Sequence, residues 1–282
     1  MTDVPVVMLN NGQTIPQFGF GDFLVPPGEA AAAVSTALEA GYRHIDTAQA
    51  YRNEKEVGEA VAKSGLPRGE IFLTTKLGNA NHLPDDARRS FDASLDALGT
   101  DYVDLFLIHW PLPTRYGGDF VSTWRTLEEF YRDGRARSIG VSNFQPHHIR
   151  RLHEETEIPP AVNQIEVHPY LTQNPVREFC AQHQIAIEAW SPLARGGDLL
   201  SDPEIVPIAE RTGKTPAQVV LRWHIERGDI VFPKSVTPAR MRENFDLFDF
   251  ELDERQMAEI TGLNRDERTG GNPDTMTWIP GT

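Results

Sequence analysis

Short apolar runs alternate with longer segments of helical periodicity along most of this chain. After a turn signal, NNGQ at residues 10–13, eight runs rich in β-branched and aromatic residues have the length of buried strands. They lie at residues 16–22, 42–46, 71–76, 103–109, 136–143, 161–168, 185–192 and 229–235. The segments between them repeat apolar residues at helical spacing, most plainly at residues 28–41, 83–99, 121–134 and 215–228.

Strands and helices in alternation predict parallel strands joined by helices. Eight such units in about 250 residues are typical of a (β/α)8 TIM barrel, whereas a doubly wound sheet more often has five or six strands. No linker rich in serine or glycine divides the chain. We therefore expect residues 1–282 to form a single α/β barrel domain, with an N-terminal β-hairpin before the barrel and a C-terminal loop after it.

Several predicted strands end in polar residues, and active sites of such barrels lie at the carboxyl ends of the strands. A lone histidine after an apolar run is ordinarily a core residue bonded to a carbonyl group. Several polar strand ends that converge on one mouth favour a functional site instead. The residues in question are Asp46, Lys76, His109, Ser142, Asn143 and Lys234.

Four residues of this mouth suit the reduction of a carbonyl group. A free tyrosine, with a pKa of about 10, is a weak proton donor. The ammonium of Lys76 stabilises the phenolate of Tyr51, and Asp46 keeps that ammonium charged. His109 donates a hydrogen bond to an oxygen on which charge develops. The set lacks a nucleophile with its own base, so the hydride must come from a cofactor.

The composition excludes several other classes of function. With 41 acidic and 27 basic side chains, the net charge of −14 disfavours nucleic acid and anionic membranes as partners. One cysteine, Cys180, excludes an internal disulfide and fits a reducing compartment. The chain has no run of eighteen apolar residues and no targeting pattern at its start. We expect a cytoplasmic monomer that acts on a small molecule.

In its motifs the chain resembles the aldo-keto reductase family from Phe18 to about Leu252. The segments that carry the resemblance occur in order: RHIDTAQAYRNE, TTKL, LFLIHWP, IGVSNF, NQIEVHP and PKSVTPAR followed by EN. Within the family it is most similar to the bacterial 2,5-diketo-D-gluconate reductase group. The resemblance implies an NADPH-dependent carbonyl reductase with Tyr51 as general acid, tuned by Lys76 and Asp46, and with His109 orienting the carbonyl.

The resemblance also implies how the cofactor binds. It assigns the nicotinamide carboxamide to Ser142, Asn143 and Gln164, and the ring to stacking on Trp190. The segment after Trp190 resembles a loop that folds over the pyrophosphate, and a later basic segment matches the adenosine end. The further cofactor residues are Ser191, Leu193, Arg195, Lys234, Ser235, Val236, Arg240, Glu243 and Asn244.

The expected substrate pocket contains Phe23, Trp110 and Trp278. Two residues depart from close relatives: Gly78 stands where an aromatic residue is usual and widens the pocket, and Asp22 disfavours an anionic sugar acid if its side chain points inward. The tail at residues 271–282 lacks periodicity, so it is either a disordered end or a loop that covers the substrate.

Two alternatives remain open. Histidine and aspartate at strand ends are also found in metal-dependent barrel hydrolases, but a metal site of that kind needs three or four converging ligands. The segment PHHIRRLHEE contains three histidines, but it has no HExxH pattern, and we expect it to form a solvated helix. We expect no metal. The other alternative is a non-catalytic barrel that binds NADPH as a redox sensor or structural protein.

Overall fold

The computed structural model describes residues 4–279, and its main feature is an eight-stranded parallel barrel. A separate antiparallel hairpin precedes it, so the predicted fold is confirmed. The hairpin strands are β1 (Val6–Met8) and β2 (Thr14–Pro16). The barrel strands are β3 (Phe20–Gly21), β4 (His44–Asp46), β5 (Phe72–Leu77), β6 (Leu105–Ile108), β7 (Ile139–Ser142), β8 (Val162–Glu166), β9 (Ala186–Trp190) and β10 (Ile230–Val231).

The barrel strands pair with their neighbours in chain order, from β3 to β10. A parallel bridge between Phe18 and Val231 closes the ring, and Gly19 N donates to Val231 O over 2.8 Å. The first and last strands are shorter than predicted. Pro16 belongs to the hairpin and leaves the barrel only Phe20–Gly21 as a regular strand.

Helices connect the strands and cover the outside of the barrel. Several begin with a proline in the first turn, where the missing N–H has no partner to lose. Among the described residues, no helix is long and apolar enough to cross a membrane. The helices are α1 (Pro27–Glu39), α2 (Glu54–Lys63), α3 (Pro84–Leu98), α4 (Val121–Arg132), α5 (Pro146–Glu155), α6 (Asn174–Gln182), α7 (Ile205–Thr212), α8 (Pro216–Glu226), α9 (Pro238–Phe245) and α10 (Glu254–Thr261).

The hairpin closes the amino end of the barrel. Leu9 and Ile15, both buried, form a separate apolar cluster with the residues that begin four strands, Phe72, Leu105, Val162 and Ile230. Because this end is sealed by apolar packing, the carboxyl end of the strands is left for a site.

Candidate active site

The four residues predicted to carry chemistry lie together at the carboxyl end of the barrel. Asp46 ends β4, and Lys76 is the next to last residue of β5. Tyr51 ends a short 3-10 helix, Gln49–Tyr51, after β4, and His109 directly follows β6. The rings of Tyr51 and His109 meet edge to face, with centroids 5.8 Å apart.

Lys76 is the centre of this group. Its side chain is fully buried, and its Nζ lies 2.5 Å from Asp46 Oδ1, 2.9 Å from Thr47 O and 3.3 Å from Tyr51 Oη. An ammonium carries three protons, so these three acceptors satisfy it. The buried ion pair with Asp46 therefore fixes a positive charge beside the phenol oxygen.

Burial and charge set the protonation states here. Burial raises the pKa of Tyr51 above its ordinary value, and the charge of Lys76 opposes that rise. Burial lowers the pKa of Lys76, but Asp46 and Tyr51 outweigh it and raise that pKa overall. Burial, and then the charge of Lys76, lowers the pKa of His109 well below its ordinary value. At neutral pH the site thus holds a protonated phenol, a charged ammonium and a neutral imidazole.

A chain of buried polar groups extends from Asp46 into the barrel. Gln164 Nε2 donates to Asp46 Oδ2 and to Glu188 Oε2, over 2.8 Å each. The other oxygen of Glu188 lies 3.7 Å from His44 Nε2 and has no hydrogen-bond partner within residues 4–279. Burial, and then the charge of Asp46, raises the pKa of Glu188 to about 8, and burial lowers that of His44 to about 3. Both are therefore largely neutral at neutral pH.

Glu188 and His44 were not among the residues predicted from the sequence. Their signal was the strand period of two, which places alternate residues on the same side of a strand. His44 stands two residues before Asp46, and Glu188 stands two before Trp190. Gln164 was expected to bind the carboxamide of the nicotinamide. Both of its amide protons are donated within the protein, to Asp46 and Glu188, which leaves its Oε1 to accept from a ligand.

Asp22 points inward and is fully buried. Neither of its carboxyl oxygens has a hydrogen-bond partner among the described residues. The single proton of the Thr47 hydroxyl is donated to Asn53 Oδ1, 2.9 Å away, and so is not available to Asp22. Burial, and then the charge of Asp46, raises the pKa of Asp22 well above its ordinary value. The inward carboxyl that we expected to repel anions is thus held toward its neutral form.

The residues expected around the nicotinamide form one connected group. Trp190 Nε1 donates to Asn143 Oδ1 over 2.8 Å, and Asn143 Nδ2 donates to His109 O over 3.0 Å. Ser142 Oγ donates to Gln164 O over 2.9 Å. The indole of Trp190 is half-buried, so its ring lies at the mouth next to the catalytic candidates.

The loop after β9 carries Ser191, Leu193 and Arg195, three of the expected cofactor residues. Its backbone enters the left-handed region at Ser191 (φ 48°), Ala194 (φ 48°), Arg195 (φ 61°) and Gly196 (φ 85°). Such turns direct backbone N–H groups into concave sites that bind anions. The loop therefore has a backbone suited to phosphate.

The segment after β10 carries the remaining cofactor candidates. Lys234 and Arg240 are exposed, and neither has an ion-pair partner in the part of the chain that the structure describes. Ser235 and Asn244 are buried, and Val236 is exposed. Glu243 is exposed, and its Oε1 accepts a hydrogen bond from Thr215 Oγ1 over 2.9 Å.

The segment that follows α10 lies across the mouth of the barrel. Thr269 N and Oγ1 both donate to Glu166 Oε1 over 2.6 Å, and Gly270 N donates to Glu166 Oε2 over 3.1 Å. A methyl group built on Gly270 would lie 2.3 Å from Trp190 Cη2. The tail that follows contacts the barrel, where Asn79 Nδ2 donates to Trp278 O over 2.8 Å. Its role as a loop that covers the substrate stays a prediction, and residues 280–282 lie outside the described part.

The expected substrate residues surround the same mouth. The Phe23 ring centroid lies 5.2 Å from that of Tyr51. Trp110 directly follows His109 and is half-buried. Asn79 Nδ2 donates to Trp278 O over 2.8 Å, which ties the tail to the loop after β5.

His147, His148 and Asp274 form the one cluster within residues 4–279 whose side chains could hold a metal ion. His148 is buried, so α5 is not fully solvated as expected. His148 Nδ1 accepts a hydrogen bond from Gln145 N over 3.1 Å, which places the proton of the neutral ring on Nε2, the atom nearest Asp274. That tautomer cannot ligate a metal through Nε2, and the positive end of α5 opposes a cation there.

The sequence comparisons agree with this geometry. The model of the aldo/keto reductase family matches residues 17–265. The chain belongs to the aldo/keto reductase family. The matched range contains the stretch from Phe18 to about Leu252 that carries the resemblance in the sequence.

Individual family members are similar over nearly the whole chain. A protein named aldo-keto reductase from Mycolicibacterium smegmatis is 53% identical over 274 residues, which are 97% of this chain and 98% of that protein. Methylglyoxal reductase DkgA of Escherichia coli (strain K12) is 44% identical over 278 residues, 97% and 98% of the two chains. A variant of Gox0644 solved in complex with NADPH has a TM-score of 0.94 at 43% identity, covering 98% of this chain and all of that one (100%).

Proposed function

We propose that this protein reduces aldehydes and ketones to alcohols with NADPH, and that Tyr51 is the proton donor. The observation that carries the proposal is the position of the Tyr51 phenol oxygen, which lies 3.3 Å from Nζ of the buried Lys76. Membership of the aldo/keto reductase family and a relative solved with NADPH support it.

The side chains at the mouth divide the work between them. The cofactor, when bound, supplies a hydride to the carbonyl carbon. Tyr51 Oη donates its proton to the carbonyl oxygen as negative charge develops there. Lys76 stabilises the phenolate that forms, and Asp46 holds Lys76 in its charged state. The neutral imidazole of His109 donates a second hydrogen bond to the same oxygen.

The chain's own residues fit a dinucleotide with an extra phosphate. Trp190 offers a ring at the mouth, and the left-handed turns after it offer N–H groups to the pyrophosphate. Lys234 and Arg240, both unpaired among the described residues, suit the 2′-phosphate, since Arg grips phosphate with two parallel hydrogen bonds and Lys adds a point charge.

Small carbonyl compounds are the substrate class that we propose, among them vicinal dicarbonyls and diketogluconate-like sugars. A relative 44% identical is named for methylglyoxal reduction, and the motifs PQFGFGDF and GKTPAQVVLRWH resemble those of diketogluconate reductases.

The direct test follows NADPH oxidation at 340 nm with methylglyoxal, an aromatic aldehyde and a ketone. We expect turnover with at least one, and the alcohol as product. If the protein binds NADPH but reduces nothing across a broad carbonyl panel, the proposal fails and a non-catalytic NADPH-binding barrel is favoured.

A further inference from the structure

A cavity of about 290 Å³ lies beside the Tyr51 loop, and Gly78 is one of its lining residues. Its lining residues are Gln49, Ala50, Arg52, Gly78, Ala80, Asn81 and Trp278. Since Ala50 and Arg52 flank Tyr51 in the chain, the cavity and the phenol share one short loop. The volume is close to the lower limit of ligand pockets, about 300 Å³, so it suits one end of a small molecule.

Arg52 gives this cavity its positive charge. Its guanidinium is exposed and has no hydrogen-bond or ion-pair partner within residues 4–279. Its backbone adopts φ 58° and ψ 30°, in the left-handed region where glycine is favoured and other residues are uncommon. An exposed guanidinium without a partner, at the lining of a cavity, is available to an anionic ligand.

Neighbouring polar groups leave Arg52 free for a ligand. Gln49 Oε1 accepts from Gly78 N over 2.7 Å and from Asn81 Nδ2 over 2.9 Å, while Gln49 Nε2 donates into α3. Gln49 is therefore used within the protein, whereas Asn81 keeps one amide proton and its Oδ1. Trp278 adds an aromatic wall.

We propose that this cavity binds the carboxylate end of an oxo-acid substrate, with Arg52 as its charged partner, while the carbonyl group reaches Tyr51. The proposal rests on the proposed function. A guanidinium matches a carboxylate through two parallel hydrogen bonds. A single cation on a protein of net charge −14 suits a monoanion better than a phosphate.

Asp22 does not oppose this assignment. We expected its carboxylate to repel anions at the substrate end, but burial holds that group toward its neutral form. The attraction of Arg52 therefore acts without a competing negative charge from Asp22.

The test compares two substrates with the same reacting aldehyde, 4-oxobutanoate and its neutral methyl ester. We expect Arg52→Gly to lower the ratio of kcat/KM for the acid to that for the ester about tenfold or more, since one charge-assisted contact is lost. Glycine fits the left-handed backbone, so the variant should fold. Arg52→Lys, which keeps the charge, should restore part of the ratio.

Lys55→Gln is the matched control. Lys55 is exposed on the adjacent α2 and lies outside the cavity lining. Its replacement by glutamine removes the same unit of charge as Arg52→Gly. An unchanged ratio in Arg52→Gly overturns the proposal, as does an equal fall in Lys55→Gln. Calorimetric titration of the cofactor-free protein with 4-oxobutanoate separates this site from the reaction. Weaker binding in Arg52→Gly supports the site even if no carbonyl is reduced, and equal binding refutes it.

Discussion

Replacement of the buried Glu188 by glutamine should stabilise the protein, and more strongly at pH 8 than at pH 5. The pKa of Glu188 is raised from 4.5 to about 8 in the folded protein by burial and by Asp46. The folded state therefore keeps the proton that the unfolded state loses, so the stability supported by this group is present at low pH and lost as pH rises from about 4.5 to about 8. Glutamine does not titrate, and it can accept from Gln164 Nε2 in the same way.

The size of the effect follows from the two pKa values. Each pKa unit of difference corresponds to about 1.36 kcal/mol. The destabilisation by Glu188 is thus on the order of 4 kcal/mol at pH 8 and below about 1 kcal/mol at pH 5. Because Glu188 is fully buried, solvent does not screen this difference.

Urea unfolding curves of both proteins at pH 5 and pH 8 measure the effect, with equal slopes as the check that unfolding exposes the same surface. Titratable groups that do not interact with Glu188 cancel in the comparison. The contribution of Asp46, whose charge acts on Glu188, is part of the measured difference. A stability gain that is the same at the two pH values, or larger at pH 5, would contradict the assignment of Glu188 as a buried neutral acid.

Three further predictions concern the cofactor and metals. Replacing both Lys234 and Arg240 by methionine should raise the Kd for NADPH about a hundredfold and change the Kd for NADH little, since two charged contacts to one phosphate are worth about 3 kcal/mol. If titrations show that the double variant binds NADPH as tightly as wild type, these two residues do not bind the phosphate. Gly270→Ala places a methyl group against the Trp190 ring and forces that ring to move. If the ring stacks on the nicotinamide, NADPH should bind more weakly, and an unchanged Kd would show that the Trp190 ring does not contact the cofactor. EDTA should leave turnover unchanged because the protein's own donors polarise the carbonyl; loss of activity that zinc restores would contradict this.

Strand ends were predictable from the sequence because a parallel barrel gathers them at one rim. That rule placed Asp46, Lys76 and His109 together without any knowledge of long-range contacts. The first strand was predicted too long because the apolar pattern at residues 16–22 runs through the join between hairpin and barrel. Pattern alone does not show where backbone pairing changes partner.

Two features depended on contacts that no local pattern encodes. The link from Asp46 through Gln164 to Glu188 joins side chains from three strands, and it exists only once the barrel closes. The segment that leads into the tail is held by the carboxylate of Glu166, which accepts a hydrogen bond from Thr269 N, 103 residues later in the chain. The strand period of two predicts that Asp46, Gln164 and Glu188 face the inside of the barrel, but it does not predict which side chains they contact there.

The most direct test of the account is the turnover of Tyr51→Phe with an aldehyde, alongside its Kd for NADPH. The substitution removes only the hydroxyl group, so the fold and cofactor binding should persist. Loss of a general acid lowers the rate by about 10²- to 10⁴-fold, and we expect kcat to fall by a factor in that range. The Kd for NADPH should stay within about twofold of the wild-type value. Such a change is well under the roughly 1.4 kcal/mol that a factor of ten represents. Retention of more than about a tenth of wild-type turnover, far outside the range for a lost proton donor, would contradict the role of Tyr51.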